Sequence, residues 1–358
     1  MQKLDVAVLG ATGAVGQRFI QLLEEHPWFR VAEVIGSERS AGHAYGMIAR
    51  WVLDGEPPAS VRDLVVKGLN DPLSSPLVFS ALPKEAAEQR EVELAAAGHI
   101  VCTNASAHRM VDDVPLLLPE VNAGHVQLID RQRAQRGWTT GALVANSNCT
   151  AMPLTMALAP LCQFGIRRVS VVSAQAISGA GYPGVPSLDI LDNMIPYISG
   201  EEEKLETEPL KMLGSLNGAR VEPLDALVSA SCNRAPVIDG HMVNVAVELA
   251  NPPSEADLIA AWDQFRGPAP VPMLPNAPER PLHYLRQPDR PQIRRDRDAG
   301  RGMTTSIGRL RPCPIHGYKF VALSHNTVRG AAGCSILNAE LLAAQGYIAN
   351  FQPTLAER

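Results

Sequence analysis

The groups best suited to chemistry in this chain are one thiol, one imidazole and a few cations. Cys149 stands in the polar stretch Asn146-Ser147-Asn148-Cys149-Thr150. An apolar strand over 141–144 is expected to run into that turn, and an apolar helical run over 154–161 to follow it. A thiol at a helix N-terminus meets free N–H groups and the positive end of the macrodipole, which favour its thiolate. Cys149 is therefore a candidate nucleophile, although a lone Cys is most often a buried structural residue. His241 follows Arg234 by seven positions, which gives an acid/base candidate a neighbouring cation. Combined with a nucleotide site, a covalent thiol suits aldehyde oxidation or acyl reduction, because a thioester or thiohemiacetal accepts or donates hydride.

The elements that must position these groups begin with a β-rich run over 4–9, followed by Gly10-Ala11-Thr12-Gly13-Ala14-Val15-Gly16 and a helical pattern through Leu23. Strand, glycine turn and helix N-terminus together make a pyrophosphate site. The second strand, 31–35, ends at Gly36-Ser37-Glu38-Arg39-Ser40. Ser37, Arg39 and Ser40 favour the 2′-phosphate of NADP, and Glu38 keeps NAD open. Strands over 77–79 and 99–102, separated by a helix over 84–97, place Ser80 and Asn104 at strand carboxyl ends, with Arg109 nearby as an anion clamp.

Beyond Cys149 a new set of strands opens at 167–173 and reaches the glycine-rich loop 175–184, where Ser178 and Gly179 lie close to a ligand or another chain. A Glu-rich run, 201–208, follows, then a strand over 242–249 with one covered face. Eight prolines between 268 and 291 predict an extended segment, neither helix nor central strand. Further strands over 304–310 and 320–323 precede a helix over 335–345. The expected architecture is an α/β Rossmann-like NADP-binding domain over 1–148 and an α+β catalytic and dimerisation domain with a mixed sheet over 149–333. A C-terminal helix within 334–358 is expected to return to the first domain.

With 46% apolar and 19% charged residues over 358 positions, the chain reads as globular and long enough for two cores. A net charge of −5 without a sustained basic run excludes a phosphate-backbone partner, so nucleic acid is not expected. Six cysteines without Cys-x-x-Cys or zinc-like His spacing imply reduced thiols, no metal and a cytoplasmic location. There is neither a signal-like start nor an apolar run of about 18 residues, so export and membrane spanning are not expected.

Seven spaced motifs together resemble the aspartate-semialdehyde dehydrogenases, most closely the archaeal and fungal branch: residues 10–16, 103–110, 147–150, 175–184, 200–204, 234–241 and 326–333. The resemblance implies Cys149 as nucleophile, His241 as general acid/base and Gln175 as the residue orienting the acyl group. It implies Arg234 for the substrate α-carboxylate, Glu201 for the α-ammonium, Lys204 and Arg109 for phosphate, and Asn326 facing the nicotinamide. The Glu run leaves the register open, with Glu202 or Glu208 for the ammonium and Lys211 for phosphate as alternatives. The implied substrates are L-aspartyl 4-phosphate, L-aspartate 4-semialdehyde and phosphate, with NADP(H) as cofactor and a homodimer or homotetramer as assembly. Competing expectations are a related acyl reductase, acting on malonyl-CoA or N-acetyl-glutamyl phosphate, and a non-catalytic NADP-binding regulatory protein. Two departures from the family's usual pattern are Met242-Val243-Asn244 after His241, and Ala235.

Overall fold

The computed structural model describes residues 3–218 and 220–355. The end of the expected C-terminal segment, 356–358, lies outside the described residues. The first sheet is built from β1 (Leu4–Leu9), β2 (Phe29–Ile35), β3 (Leu77–Ser80), β4 (Ile100–Thr103), β5 (Leu116–Leu117) and β6 (Ala142–Asn146). Its order is β2-β1-β3-β4-β6-β5, with every neighbouring pair parallel. Every residue of β3, β4 and β6 is buried, as expected of parallel strands covered by helices on both faces. The helices Ala14–Leu23, Lys84–Ala96 and Gly333–Ala344 supply that cover, the last returning from the far end of the chain onto β3, β4 and β6.

The second sheet starts with β7 (Ile166–Gln175). After a small hairpin of β8 (Ser215–Asn217) and β9 (Arg220–Glu222) it continues with β10 (Leu227–Arg234), β11 (His241–Leu249), β12 (Leu282–Leu285), β13 (Thr305–Cys313) and β14 (Gly317–Ser324). It is mixed, in the order β10-β7-β11-β14-β13-β12. In β11 the side chains of Val243, Val245 and Val247 are buried while Asn244 is exposed, the two-fold alternation of a strand with one covered face. That face rests on the helix Ala151–Leu158, and the helix Glu255–Gln264 covers β12 on the same sheet. Among the described residues no helix is long and apolar enough to cross a membrane, and no group of three or more His, Cys, Asp or Glu is placed to hold a metal ion.

Two expectations change. The helix after Cys149 starts at Ala151, not 154. Pro153 sits in its first turn, where a missing N–H costs nothing, and Asn148 Oδ1 accepts from the Thr150 and Ala151 N–H groups at 2.8 and 3.1 Å. The proline-rich segment is not simply extended: Val271 and Leu274 are fully buried, and Leu282–Leu285 pairs with β13 as the edge strand of the sheet, the position where prolines are tolerated.

A buried ion pair ties the two halves together. Arg329, fully buried, donates from Nη1 and Nη2 to the two Glu120 oxygens at 2.8 and 2.9 Å. Such a pair contributes little net stability, but removing one partner strands the other charge. Arg329→Met alone is expected to destabilise the fold by about 3–5 kcal/mol in denaturant titration. Adding Glu120→Gln is expected to restore most of that loss.

Candidate active site

β6 delivers Asn146 to the carboxyl edge of the first sheet, and five residues later the chain enters the helix Ala151–Leu158. Asn146 Nδ2 donates to Asn104 Oδ1 at 2.7 Å and to the Ala331 carbonyl at 2.9 Å. The ends of β4 and β6 are thereby tied to the π-helical turn Val328–Ala332. Cys149 packs directly on that turn: a Cβ built at Gly330 would lie 2.8 Å from Cys149 Cβ, so glycine alone fits without moving the thiol.

The second sheet brings in three more groups by strand register. Gln175 ends β7 and Arg234 ends the parallel β10 directly opposite it. His241 opens β11, which runs antiparallel to β7. Residues 66 positions apart in sequence therefore meet at one sheet end. Arg234 Nη1 donates to the Ala176 carbonyl at 2.7 Å, and the Ala176 N–H donates to His241 Nδ1 at 3.0 Å. With Nδ1 accepting, the neutral ring carries its proton on Nε2, and Nε2 is buried without a partner. Gly179 covers both groups, its Cβ position lying 2.9 Å from Arg234 Nη1 and 3.0 Å from His241 Nε2.

The helix Glu201–Met212 resolves the Glu-rich run by its period. Glu202 and Glu206, four apart, turn to β10, where they accept from the Cys232 and Ala230 N–H groups. Glu201, Lys204, Glu208 and Lys211 share the other face. Glu201 accepts from Lys204 Nζ at 2.8 Å and from Asn148 Nδ2 at 3.0 Å. Glu208 accepts from Arg109 Nη1 at 3.0 Å. Lys211 Nζ donates to the carbonyls of Arg109, Val111 and Val114 at 2.7, 2.8 and 3.0 Å, so its three donors are spent within the protein. Asn148 is the residue that sequence reasoning overlooked. Its side chain both caps the helix and reaches Glu201, and an Asn just ahead of a helical run is a capping signal.

Electrostatics correct one expectation. Burial, reinforced by the Glu201 carboxylate, pushes the Cys149 thiol up to about 12, and Arg109, Thr150 and Arg234 only partly oppose the rise. The helix terminus does not make Cys149 a resting thiolate, because the low-dielectric wall outweighs it. Burial, then the Arg234 charge, lowers His241 to about 3, so the ring is neutral in the free protein. Burial raises the Glu201 carboxyl, but Lys204 and Asn148 outweigh it and hold the group below the usual carboxylate range. Alkylation of Cys149 by iodoacetamide, followed on its peptide by mass spectrometry, is therefore expected to accelerate about tenfold per unit from about pH 7 to about pH 10. No inflection is expected near His241's ordinary pKa. A plateau by about pH 8 would contradict the uncharged thiol.

The nucleotide side is shaped for close backbone approach. Gly10 adopts φ +70°, and a Cβ at Gly16 would lie 2.2 Å from the Gly10 carbonyl oxygen. The helix Ala14–Leu23 starts at Gly13 with no side-chain cap and no acid in its first turn, leaving N–H groups and dipole free for a pyrophosphate. Thr12, Ala14 and Val15 are partly accessible beside them. Gln17, fully buried, fixes this turn by donating from Nε2 to the Thr12 and Arg50 carbonyls. At the end of β2, Ser37 and Arg39 are exposed, whereas Ser40 turns inward and donates to the Ser37 carbonyl at 2.9 Å. Ser80 is likewise fully buried and faces Glu91. A cleft of about 240 Å³ runs from Ala14 and Arg18 to Ser178 and Thr327. Behind the lining residue Ser178, buried Asn326 has both ends of its amide engaged, Nδ2 donating to Ser178 Oγ at 2.8 Å and Oδ1 accepting from the Gly240 N–H at 2.7 Å. These residues fit a dinucleotide laid across the first sheet.

Comparison with known proteins agrees with this geometry. The family model for the semialdehyde dehydrogenase NAD binding domain matches residues 5–129, and that for the semialdehyde dehydrogenase dimerisation domain matches 158–329. The aspartate-semialdehyde dehydrogenase of Archaeoglobus fulgidus is 50% identical, covering 95% of this chain and 98% of the relative. That of Aspergillus fumigatus is 44% identical, covering 97% and 99%. The crystal structure of aspartate semialdehyde dehydrogenase with NADP from Candida albicans superposes with a TM-score of 0.89 at 40% identity, over 97% of this chain and 100% of that one. The chain belongs to the semialdehyde dehydrogenase family.

Proposed function

We propose that this member of the semialdehyde dehydrogenase family interconverts L-aspartyl 4-phosphate and L-aspartate 4-semialdehyde, with NADP(H), through a thioester on Cys149. The supporting observation is the convergence of Arg234, Glu201, Lys204 and Arg109 around one partly accessible thiol and one unpartnered imidazole Nε2. An amino-acid acyl phosphate carries a carboxylate, an ammonium and a phosphate, and those side chains complement all three.

In the reductive direction Cys149 Sγ bonds to the acyl carbon, the carbon–oxygen bond to phosphate breaks, and the thiol proton passes to the departing phosphate oxygen. Phosphate leaves toward Arg109 and Lys204. Arg234 holds the α-carboxylate, which its planar fork suits better than Lys would. Glu201 meets the ammonium, since Glu202 faces β10 and Glu208 is spent on Arg109. Gln175, buried at the end of β7, orients the acyl oxygen. NADPH, when bound, supplies the hydride. His241 Nε2–H hydrogen-bonds the oxygen as charge develops on it and provides its proton, a role open to a neutral imidazole. Collapse to the aldehyde then returns that proton to His241 Nε2 and expels the Cys149 thiolate, which is reprotonated from solvent.

Asn326 acts by holding Ser178 and Gly240 around the nicotinamide end of the cleft, while Ser37 and Arg39 meet the 2′-phosphate. The divide between domains is placed near 148/149. The dimerisation domain is expected to pair two copies into a homodimer through the open face of the mixed sheet, where Val172 and Leu227 are exposed. All six cysteines are unpaired, which suits a reducing, cytoplasmic setting.

Purified protein supplied with aspartate semialdehyde, NADP and phosphate is expected to generate NADPH absorbance, and malonyl-CoA with NADPH to give no oxidation. The reverse pattern would assign a CoA substrate. Binding of NADP with neither activity would indicate a non-catalytic protein.

A further inference from the structure

We propose that Glu208 is a positioning residue for the phosphate-dependent half of the reaction, fixing the arginine of the anion site and the backbone of the nucleophile turn relative to each other. This rests on the function proposed above. Glu208 is 2% exposed, and its two oxygens are committed to different segments. Oε1 accepts from Arg109 Nη1 at 3.0 Å, while Oε2 accepts from the Asn148 N–H, next to Cys149, at 2.6 Å. Arg109 Nη2 donates to the Asn104 carbonyl at 2.7 Å, and Arg109 Nε is buried without a partner. Held at two corners, the guanidinium can present its remaining hydrogens in only one direction. Lys211, one turn further along the same helix face, holds the Arg109 carbonyl. A buried carboxylate persists only where hydrogen bonds compensate it, and here both donors belong to segments that meet the substrate.

The two halves of the reaction use this joint unequally. Oxidation of the Cys149 thiohemiacetal to the thioester involves no phosphate. In the second half a phosphate oxygen bonds to the acyl carbon, the carbon–sulfur bond breaks, and Cys149 leaves as thiolate. That step requires anion and thioester to be aligned, and a misplacement of about 1 Å costs on the order of 10²-fold.

Glu208→Gln retains an oxygen for the Asn148 N–H but turns an amide NH₂ toward Arg109, which cannot accept. At saturating phosphate its steady-state turnover is expected to fall about 10- to 100-fold. The first-turnover NADPH burst, and the acyl-enzyme mass accumulating on Cys149 without phosphate, are expected to stay within about twofold of the parent protein. Glu208→Asp keeps the charge but is one methylene too short to span both partners, and is expected to show the same split if the Gln variant does not fold. Burst and turnover falling together, or turnover unchanged, would overturn the role of Glu208. A parent protein that makes no NADPH from aspartate semialdehyde would instead contradict the proposed function.

Discussion

Cys149→Ser is expected to lower NADPH formation from aspartate semialdehyde by on the order of 10⁴-fold, while thermal stability shifts by less than about 1 kcal/mol. The hydroxyl fills nearly the same space on Gly330, so the turn, the Asn148 cap and the helix Ala151–Leu158 remain as they are. What is lost is the proposed nucleophile. Even where its surroundings disfavour the charge, the Cys149 thiol is pushed up only to about 12, whereas an aliphatic hydroxyl is far less acidic. No base in contact with the residue compensates, because the His241 ring accepts at Nδ1 from Ala176 and carries its proton on Nε2. Residual turnover within about tenfold of the parent would show that the acyl group never resides on this residue.

His241→Asn is expected to lower kcat by about 10²–10⁴-fold, the usual contribution of a positioned acid or base, with KM for NADP little changed. Asn can place an oxygen where Nδ1 stood and so keep the Ala176 N–H satisfied, which preserves the loop holding Arg234. It has nothing at the position of Nε2. The loss therefore reports on proton donation and not on packing. The pH profile gives a second reading. His241 is held down to about 3 by burial and Arg234, so in the free protein it is already neutral across pH 5–9 and kcat/KM is expected to show no limb from its titration. A limb near its ordinary pKa that disappears in His241→Asn would mean that the ring is charged in the working enzyme.

The order of elements was legible in the sequence because glycine turns, apolar runs and period changes are local signals. So was the place of Cys149 between β6 and the following helix, since a strand, a polar turn and a helical run bracket it. Its protonation was not: the helix terminus can be seen in the chain, but the Glu201 carboxylate 52 positions away and the walls of the site cannot. The meeting of Gln175, Arg234 and His241 depends on which strands pair, a property of β7, β10 and β11 together. The Glu run was partly legible. A spacing of three, seven and ten residues from Glu201 puts Lys204, Glu208 and Lys211 on its side of a helix and leaves Glu202 and Glu206 opposite. Which face meets Cys149 required the structure. Ser40 and Ser80 lie where cofactor contacts are expected, yet their hydroxyls are turned to neighbouring groups, because a small polar side chain at a strand end can also serve the turn it begins.

A thioester on Cys149 can be weighed. Protein mixed with aspartate semialdehyde and NADP, with phosphate withheld, is expected to form about one NADPH per subunit and to gain the mass of one aspartyl group on the Cys149 peptide; phosphate added afterwards should remove it. NADPH forming while Cys149 keeps its unmodified mass would contradict covalent catalysis by this residue.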